Sequence, residues 1–266
     1  MSKLSSHIVE EVIAVARKAG ETTLAVYASD FGVQTKKDAS PVTRADEEAE
    51  ALIVAALRVL TPEIPIVCEE AATRGDLPDI GERFWLVDPL DGTKEFVSRN
   101  GEFTINIALI EGRKPALGVV LAPALGRLFA GVVGAMAIVE ERGERGRIAC
   151  RTPPAEGITV VSSRSHGDVA ALKSFLGPRR VACSVSAGSS LKFCMVACGE
   201  ADLYPRLGPT MEWDTAAGHA VLAAAGGRVV ALNGPALAYG KQGFANPPFV
   251  AMGSGWPSEY GSVKSP

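Results

Sequence analysis

The sequence predicts a layered α/β protein, and three observations carry that prediction. Two amphipathic helical stripes lie near the N-terminus, a run of short apolar segments separated by turns follows, and the second half alternates strand-like with helix-like segments. The first stripe runs from about Ser6 to Ala19, with Ile8, Val12, Val15 and Ala19 on one face. The second starts at Thr43: Ala49, Leu52, Ile53, Ala56, Leu57 and Leu60 recur at i, i+3, i+4, i+7, i+8 and i+11, and Pro62 stops it. A polar stretch from Gln34 to Ser40, ending in Pro41, separates the two.

The apolar segments Ile64 to Cys68, Phe84 to Val87, Thr104 to Ile110, Ala116 to Leu121 and Leu128 to Val133 read as strands, with Glu111-Gly112-Arg113-Lys114 as a hairpin turn. The charged segment Glu140 to Arg147, followed by Pro153-Pro154, interrupts the apolar pattern and predicts a boundary. It divides the chain into an N-terminal α+β region of residues 1–147 and a C-terminal α/β region of residues 148–266. In the C-terminal region strands are expected at Thr159 to Val161, Val181 to Val185, Asp202 to Pro205 and Arg228 to Leu232. Helices are expected at Asp168 to Leu176, Ser190 to Cys198 and Thr215 to Ala225, the last ended by Gly226-Gly227. That last helix is small and apolar on nearly every side except at His219, which places it between layers.

Composition narrows the function. Lys and Arg total 27 against 30 Asp and Glu in 266 residues, a formal charge of -3, so no global basic field exists for holding nucleic acid. Any anion must be met locally. The longest apolar run, Leu128 to Val139, falls short of the roughly 20 residues a membrane span needs, and Lys3, Glu10 and Glu11 stand where a secretory apolar region would lie. A cytoplasmic protein is expected, with weak peripheral membrane association left open. The five cysteines are odd in number and contain no Cys-x-x-Cys, so neither a disulfide framework nor a zinc knuckle is indicated.

The richest stretch is Asp88-Pro89-Leu90-Asp91-Gly92-Thr93. An apolar strand should end at Asp88, Pro89 should forbid its continuation, and Gly92 should permit a turn into a helix near Thr93. Asp88, Asp91 and the Leu90 carbonyl then converge at the mouth of a sheet, as oxygen ligands do around a hard cation. Two other segments end in acids: Ile66-Val67-Cys68 runs into Glu69-Glu70, and Glu212-Trp213-Asp214 precedes the buried helix. Gathered in one cleft, each close pair of these carboxylates repels by roughly 4 kcal/mol at 4 Å, so cations must accompany them. A donor set without Cys or His points to Mg²⁺ rather than zinc, and two ions about 3.5–4 Å apart suit a phosphoryl group. Asp214 reads equally as an N-cap, and Asp46 either as a capping acid paired with Thr43 or as the partner of Thr93 in holding an attacking water.

These residues resemble the lithium-sensitive Mg²⁺ phosphatase superfamily that includes inositol monophosphatases. Asp88 to Thr93 matches its acid-Pro-x-Asp-Gly-Thr element, Trp213-Asp214-Thr215-Ala216-Ala217-Gly218 its Trp-Asp helix start, and Glu69-Glu70 its Glu-Glu strand end. Lys94-Glu95, where inositol monophosphatases more often carry Thr-Asn, makes the chain most similar to the bacterial 3'(2'),5'-bisphosphate nucleotidases of the CysQ type. So do Asn100 to Leu109, Ser163 to His166, Gly188 to Cys194 and Leu203 to Thr210. Cys68 departs from the family's usual small Ser or Gly, and Leu128 to Arg147 matches more loosely.

The resemblance implies an alternating α-β-α-β-α sandwich and hydrolysis of adenosine 3',5'-bisphosphate to AMP and phosphate within sulfate assimilation, with 3'-phosphoadenylyl sulfate as a further substrate. It implies two or three Mg²⁺ ions on Glu69, Asp88, the Leu90 carbonyl, Asp91 and Asp214, most of these ligands lying N-terminal to the boundary, with Asp46 and Thr93 catalytic. Substrate contacts fall to Asp91, Gly92, Thr93, His166, Ser189, Ser190, Lys192, Arg206 and Asp214. A second phosphate beyond the metals needs cations, for which Lys192 at a Gly-Ser-Ser helix start and Arg206 are candidates, although both read equally as solvated surface charges. His166 reads either as a surface for adenine or as a turn residue bonded to backbone. Alternatives are an inositol or other sugar-phosphate phosphatase and, retaining Asp46 and Thr93 less naturally, a non-hydrolytic nucleotide sensor. The oligomeric state is not legible in the sequence.

Overall fold

The structure, a computed structural model, describes residues 5–30, 32–35, 41–164, 169–232 and 234–256. Its first half contains α1 (Ser6–Tyr27), β1 (Val33–Thr35), β2 (Pro41–Thr43), α2 (Arg44–Leu60), β3 (Ile66–Cys68), α3 (Glu69–Arg74), β4 (Arg83–Asp91) and α4 (Thr93–Val97). The meander β5 (Thr104–Glu111), β6 (Lys114–Ala122), β7 (Arg127–Val132), β8 (Met136–Glu141) and β9 (Glu144–Arg147) follows. The second half holds β10 (Ile158–Ser163), α5 (Val169–Leu176), β11 (Val181–Ala187), α6 (Leu191–Ala197), β12 (Leu203–Arg206) and β13 (Thr210–Met211). It ends with α7 (Trp213–Ala224), β14 (Arg228–Ala231), β15 (Ala245–Asn246) and β16 (Phe249–Met252).

One sheet runs β3-β4-β5-β6-β7-β8-β9 and a second runs β11-β10-β12-β16-β14. Side-chain alternation along the strands explains the layers they form. Trp85, Val87, Ile105, Ile107 and Leu109 face Val12, Ile13, Ile53 and Leu57 of α1 and α2. Their neighbours Phe84, Leu86, Ala108 and Ile110 face the opposite way, onto Phe193 of α6 and Val221 of α7. Tyr204, Phe249 and Ala251 of the second sheet close on the same helices, while Val160, Leu203 and Val250 pack under α5 through Leu172 and Leu176. The result is helix, sheet, helix, sheet, helix, as the sequence predicts. Sheets covered on both faces read as unbroken apolar runs, which is why the strands were legible.

The middle helix α7 lies very close to the first sheet. A Cβ at Gly118 would sit 2.3 Å from the Ala217 carbonyl oxygen, and one at Gly131 would sit 2.6 Å from the Val221 Cα. His219, in the middle of α7, is buried with Nδ1 2.9 Å from the Tyr239 hydroxyl. Burial pushes its imidazole down to about 4. Below the ordinary value near 6.5 the unfolded chain gains a proton that the folded one rejects, so stability present above pH 6.5 drains away down to pH 4, by about 3 kcal/mol. Urea titrations of wild type and His219→Gln should diverge by that amount across this window. Parallel pH dependences would refute the assignment.

Two elements differ from expectation. Helix α1 continues past Ala19 to Tyr27, because Gly20 is no terminator; a Cβ there would meet Leu121 Cδ2 at 2.6 Å. The charged segment at 140–147 does not break the sheet but extends it as the β8–β9 hairpin, turned by Arg142 and Gly143 at positive φ and braced by Arg145 on Glu10 and Glu140.

Candidate active site

Asp91 lies three positions after Asp88, an odd spacing that sends side chains to opposite faces of a regular strand. The chain solves this with a bulge. Asp88 pairs with Asn106 and Asp91 with Thr104, so Pro89 and Leu90 together oppose Ile105. Pairing therefore resumes beyond Pro89 rather than ending at Asp88, since a bulge residue has no ladder bond to donate. The Leu90 N–H donates to Asp88 Oδ1 at 3.0 Å. Gly92, at φ 90 and ψ 45, then turns the chain into α4 at Thr93 in a conformation that a side chain resists.

Oxygens of Glu69, Asp88 and Asp214, from the α3, β4 and α7 segments, lie within 4.8 Å of one another. The N–H groups of Glu70 and Ala71 donate to Glu50 Oε2, which caps α3, while Glu50 Oε1 accepts from Arg74. Asp214 is not the N-cap of α7 but lies in its first turn, where Oδ2 accepts the Met211 N–H at 2.8 Å and the Thr210 hydroxyl at 2.5 Å. Asp91 Oδ2 lies 3.1 Å from Ser190 Oγ, which also reaches the Asp214 carbonyl at 2.7 Å, and 3.4 Å from Asn106 Nδ2.

Burial first, then the charges of Glu69, Asp91 and Asp214, hold the Asp88 carboxyl well above its ordinary range. Burial and the Asp214 charge push Asp91 up to about 7, against the pull of Lys192, Ser190 and Asn106. Burial raises Asp214 too, opposed by Thr210 and the Met211 N–H. The protein alone thus leaves these acids mutually repelled. An all-oxygen donor set under that strain fits a hard divalent cation.

Asp46 makes contact with both Thr43 and Thr93. Oδ2 accepts the Thr43 N–H at 2.7 Å and the Thr43 hydroxyl at 2.8 Å, forming the capping box of α2, while Oδ1 lies 3.4 Å from Thr93 Oγ1. The Thr93 hydroxyl is also 3.4 Å from the Leu90 carbonyl, which keeps that carbonyl on the same turn.

A cavity of about 590 Å³ opens over the acids, with Thr93, Lys192 and Arg206 on its polar side and Leu77, Trp213 and Phe244 on its apolar side. Gly92 and Ser189 also line it, whereas Asp46 and Ser190 stand behind, reached through Thr93 and Asp91. Lys192 is no solvated surface charge: it is 4% exposed, donates to the carbonyls of Ala187 and Ser189, and burial lowers its ammonium to about 8. Arg206, which also lines the cavity, donates to the Pro209 carbonyl, and its buried Nε finds no hydrogen-bond partner among the described residues. Ser190, at the N-cap of α6, adopts helical angles and its side chain makes no cap hydrogen bond to the helix. His166 lies outside the described residues.

Asn106 and Thr210 were not singled out by the sequence, although both fall in segments that carry the resemblance. The available signals are that Asn106 is a polar residue inside an apolar strand and that Thr210 lies one helical turn before Asp214.

Layers, bulge and converging acids define a phosphatase-type α/β scaffold. The inositol monophosphatase family matches residues 5–255, and the chain belongs to that family. It is 48% identical over 247 residues to "3'(2'),5'-bisphosphate nucleotidase CysQ" of Escherichia coli strain K12, covering 91% of this chain and 98% of that one. The protein of the same name from Salmonella typhimurium LT2 is also 48% identical over the same extent. Among solved structures, CysQ from Bacteroides thetaiotaomicron, a bacterial member of the inositol monophosphatase family, is 35% identical with a TM-score of 0.78, covering 94% of this chain and 98% of its own. The Thermotoga maritima IMPase TM1415 is 27% identical with a TM-score of 0.77 and 92% coverage of each chain.

Proposed function

We propose that the protein is a Mg²⁺-dependent 3'(2'),5'-bisphosphate nucleotidase that hydrolyses adenosine 3',5'-bisphosphate to AMP and phosphate in sulfate assimilation. The convergence of Glu69, Asp88 and Asp214 within 4.8 Å, beside Asp91 and beneath the cavity, carries the reading, and similarity to the CysQ nucleotidases supplies the substrate class. Glu69, Asp88, Asp91, Asp214 and the Leu90 carbonyl would hold Mg²⁺. When bound, Mg²⁺ supplies positive charge to the phosphoryl oxygens and makes a nearby water more acidic.

The remaining work falls to side chains. Thr93 Oγ1 orients the attacking water, and Asp46 Oδ1 accepts through Thr93 the proton that the water loses. Because Asp46 Oδ2 is tied to Thr43, the acceptor oxygen is held in place before substrate arrives. On the polar wall the Lys192 ammonium and the Arg206 guanidinium meet the phosphate that is not cleaved. Leu77, Trp213 and Phe244 give the nucleoside an apolar wall, which favours a nucleotide over the polyol ring of an inositol phosphate. All five cysteines are free thiols, which suits a reducing, cytoplasmic setting, and no described helix is long and apolar enough to cross a membrane.

A panel of adenosine 3',5'-bisphosphate, its 2',5' isomer, 3'-phosphoadenylyl sulfate and inositol 1-phosphate tests the reading through phosphate release with Mg²⁺. The highest kcat/KM is expected on the adenosine 3',5'-bisphosphate, and a preference for inositol 1-phosphate would overturn it.

A further inference from the structure

Ser190 is the one described hydroxyl that reaches both Asp91 of β4 and the first turn of α7, so the position of the turn 188–190 sets how those two segments meet. Besides Lys192, which donates to the Ala187 and Ser189 carbonyls, that turn is held by Glu102, in the loop between α4 and β5. Glu102 Oε2 accepts the Gly188 N–H at 2.8 Å, and the Glu102 carbonyl accepts the Ser189 hydroxyl at 3.0 Å. Gly188 presses so closely on it that a Cβ would lie 2.5 Å from the Glu102 carbonyl oxygen. Ser189 is thereby fixed at φ 43, a left-handed conformation a serine does not keep without outside support.

Glu102 is itself anchored. Arg164, beyond β10, donates to both carboxylate oxygens at 3.0 and 2.8 Å and to the Ser186 carbonyl at 3.1 Å, while the Glu102 N–H donates to Asn100 Oδ1 at 2.9 Å. The brace spans the two sheets, since β5 belongs to the first and β10 and β11 to the second. A bidentate guanidinium pair is the geometry that locks a carboxylate in orientation as well as place.

The geometry points to Glu102 as a positioning residue that, locked by Arg164, holds the Gly188–Ser190 turn so that Ser190 ties Asp91 to the Asp214 segment. This rests on the phosphatase reading above for its effect on turnover, but not for its effect on the turn.

The test combines local amide exchange with a double-mutant cycle. In Glu102→Ala the Gly188 amide should exchange about tenfold or more faster, and kcat/KM on adenosine 3',5'-bisphosphate should fall about tenfold. Added to Ser190→Ala, the same change should cost almost nothing more, because the two act through one contact. Glu102→Gln keeps an acceptor for the Gly188 N–H, so it should retain the protection and recover most of the activity. Unchanged Gly188 exchange in Glu102→Ala, or losses that multiply in the double variant, would overturn the inference. If the wild type releases no phosphate from the bisphosphate, the phosphatase reading fails, and Gly188 exchange still decides the role of Glu102.

Discussion

Replacing Asp91 by Asn is expected to cost about 10³-fold in kcat while making the metal-free protein more stable. The loss follows from the contribution of several kcal/mol that a properly held cation makes to a phosphoryl transition state, at 1.36 kcal/mol per tenfold. The gain follows from the same electrostatics. Asp91 is held up at about 7 by burial and by Asp214, so at pH 7.5 its charged form is resisted by its surroundings. An amide removes that cost and keeps the approach of Ser190 and Asn106. Each kcal/mol of repulsion relieved raises Tm by roughly 2–4 °C in a chain of this size. Thermal melts in EDTA alongside phosphate-release assays check both halves. A variant that is inactive but melts lower would mean that Asp91 supports the fold rather than the cation.

The second large effect separates substrates. Lys192→Met keeps the aliphatic stem that fills the space beside Tyr204 but removes the ammonium, which leaves the carbonyls of Ala187 and Ser189 without that donor. A charged hydrogen bond contributes about 1.5–3 kcal/mol, so kcat/KM on adenosine 3',5'-bisphosphate should fall about 10–100-fold. On adenosine 3'-monophosphate, which lacks the phosphate that Lys192 would meet, the change should stay within about threefold. Equal losses on both would place Lys192 in holding the turn at 187–190 and not in recognising substrate.

Much of the site could be read from sequence because its chemistry is punctuated. Pro89 and Gly92 frame Asp88 and Asp91, Cys68 closes a short apolar strand at Glu69, and Asp214 opens an unusually apolar helix. The layer order was legible because both sheets are covered on each face and the body of α7 is small and apolar except at His219. What escaped depends on pairing between distant segments. Nothing local tells that β4 resumes beyond Pro89, because the bulge exists only against Asn106 and Thr104 of β5. Strand β16 follows Pro247-Pro248, yet it lies between β12 and β14 in the second sheet. The hairpin at 140–147 looked like an interruption because an edge strand carries charge where interior strands carry Val and Ile. Lys192 reads from sequence alone equally as a phosphate-binding cation and as a surface charge, because its burial is imposed by Tyr204 and the Ala187 and Ser189 carbonyls, none of which its own neighbours announce.

In the proposed function the buried acids repel one another until a divalent cation relieves them, and only then do Thr93 and Asp46 have a water to act on. The most direct test is phosphate release from adenosine 3',5'-bisphosphate by protein dialysed against EDTA, before and after Mg²⁺ is restored. The expected result is release at background in the chelated protein and recovery in proportion to added Mg²⁺. Undiminished release in EDTA would contradict it.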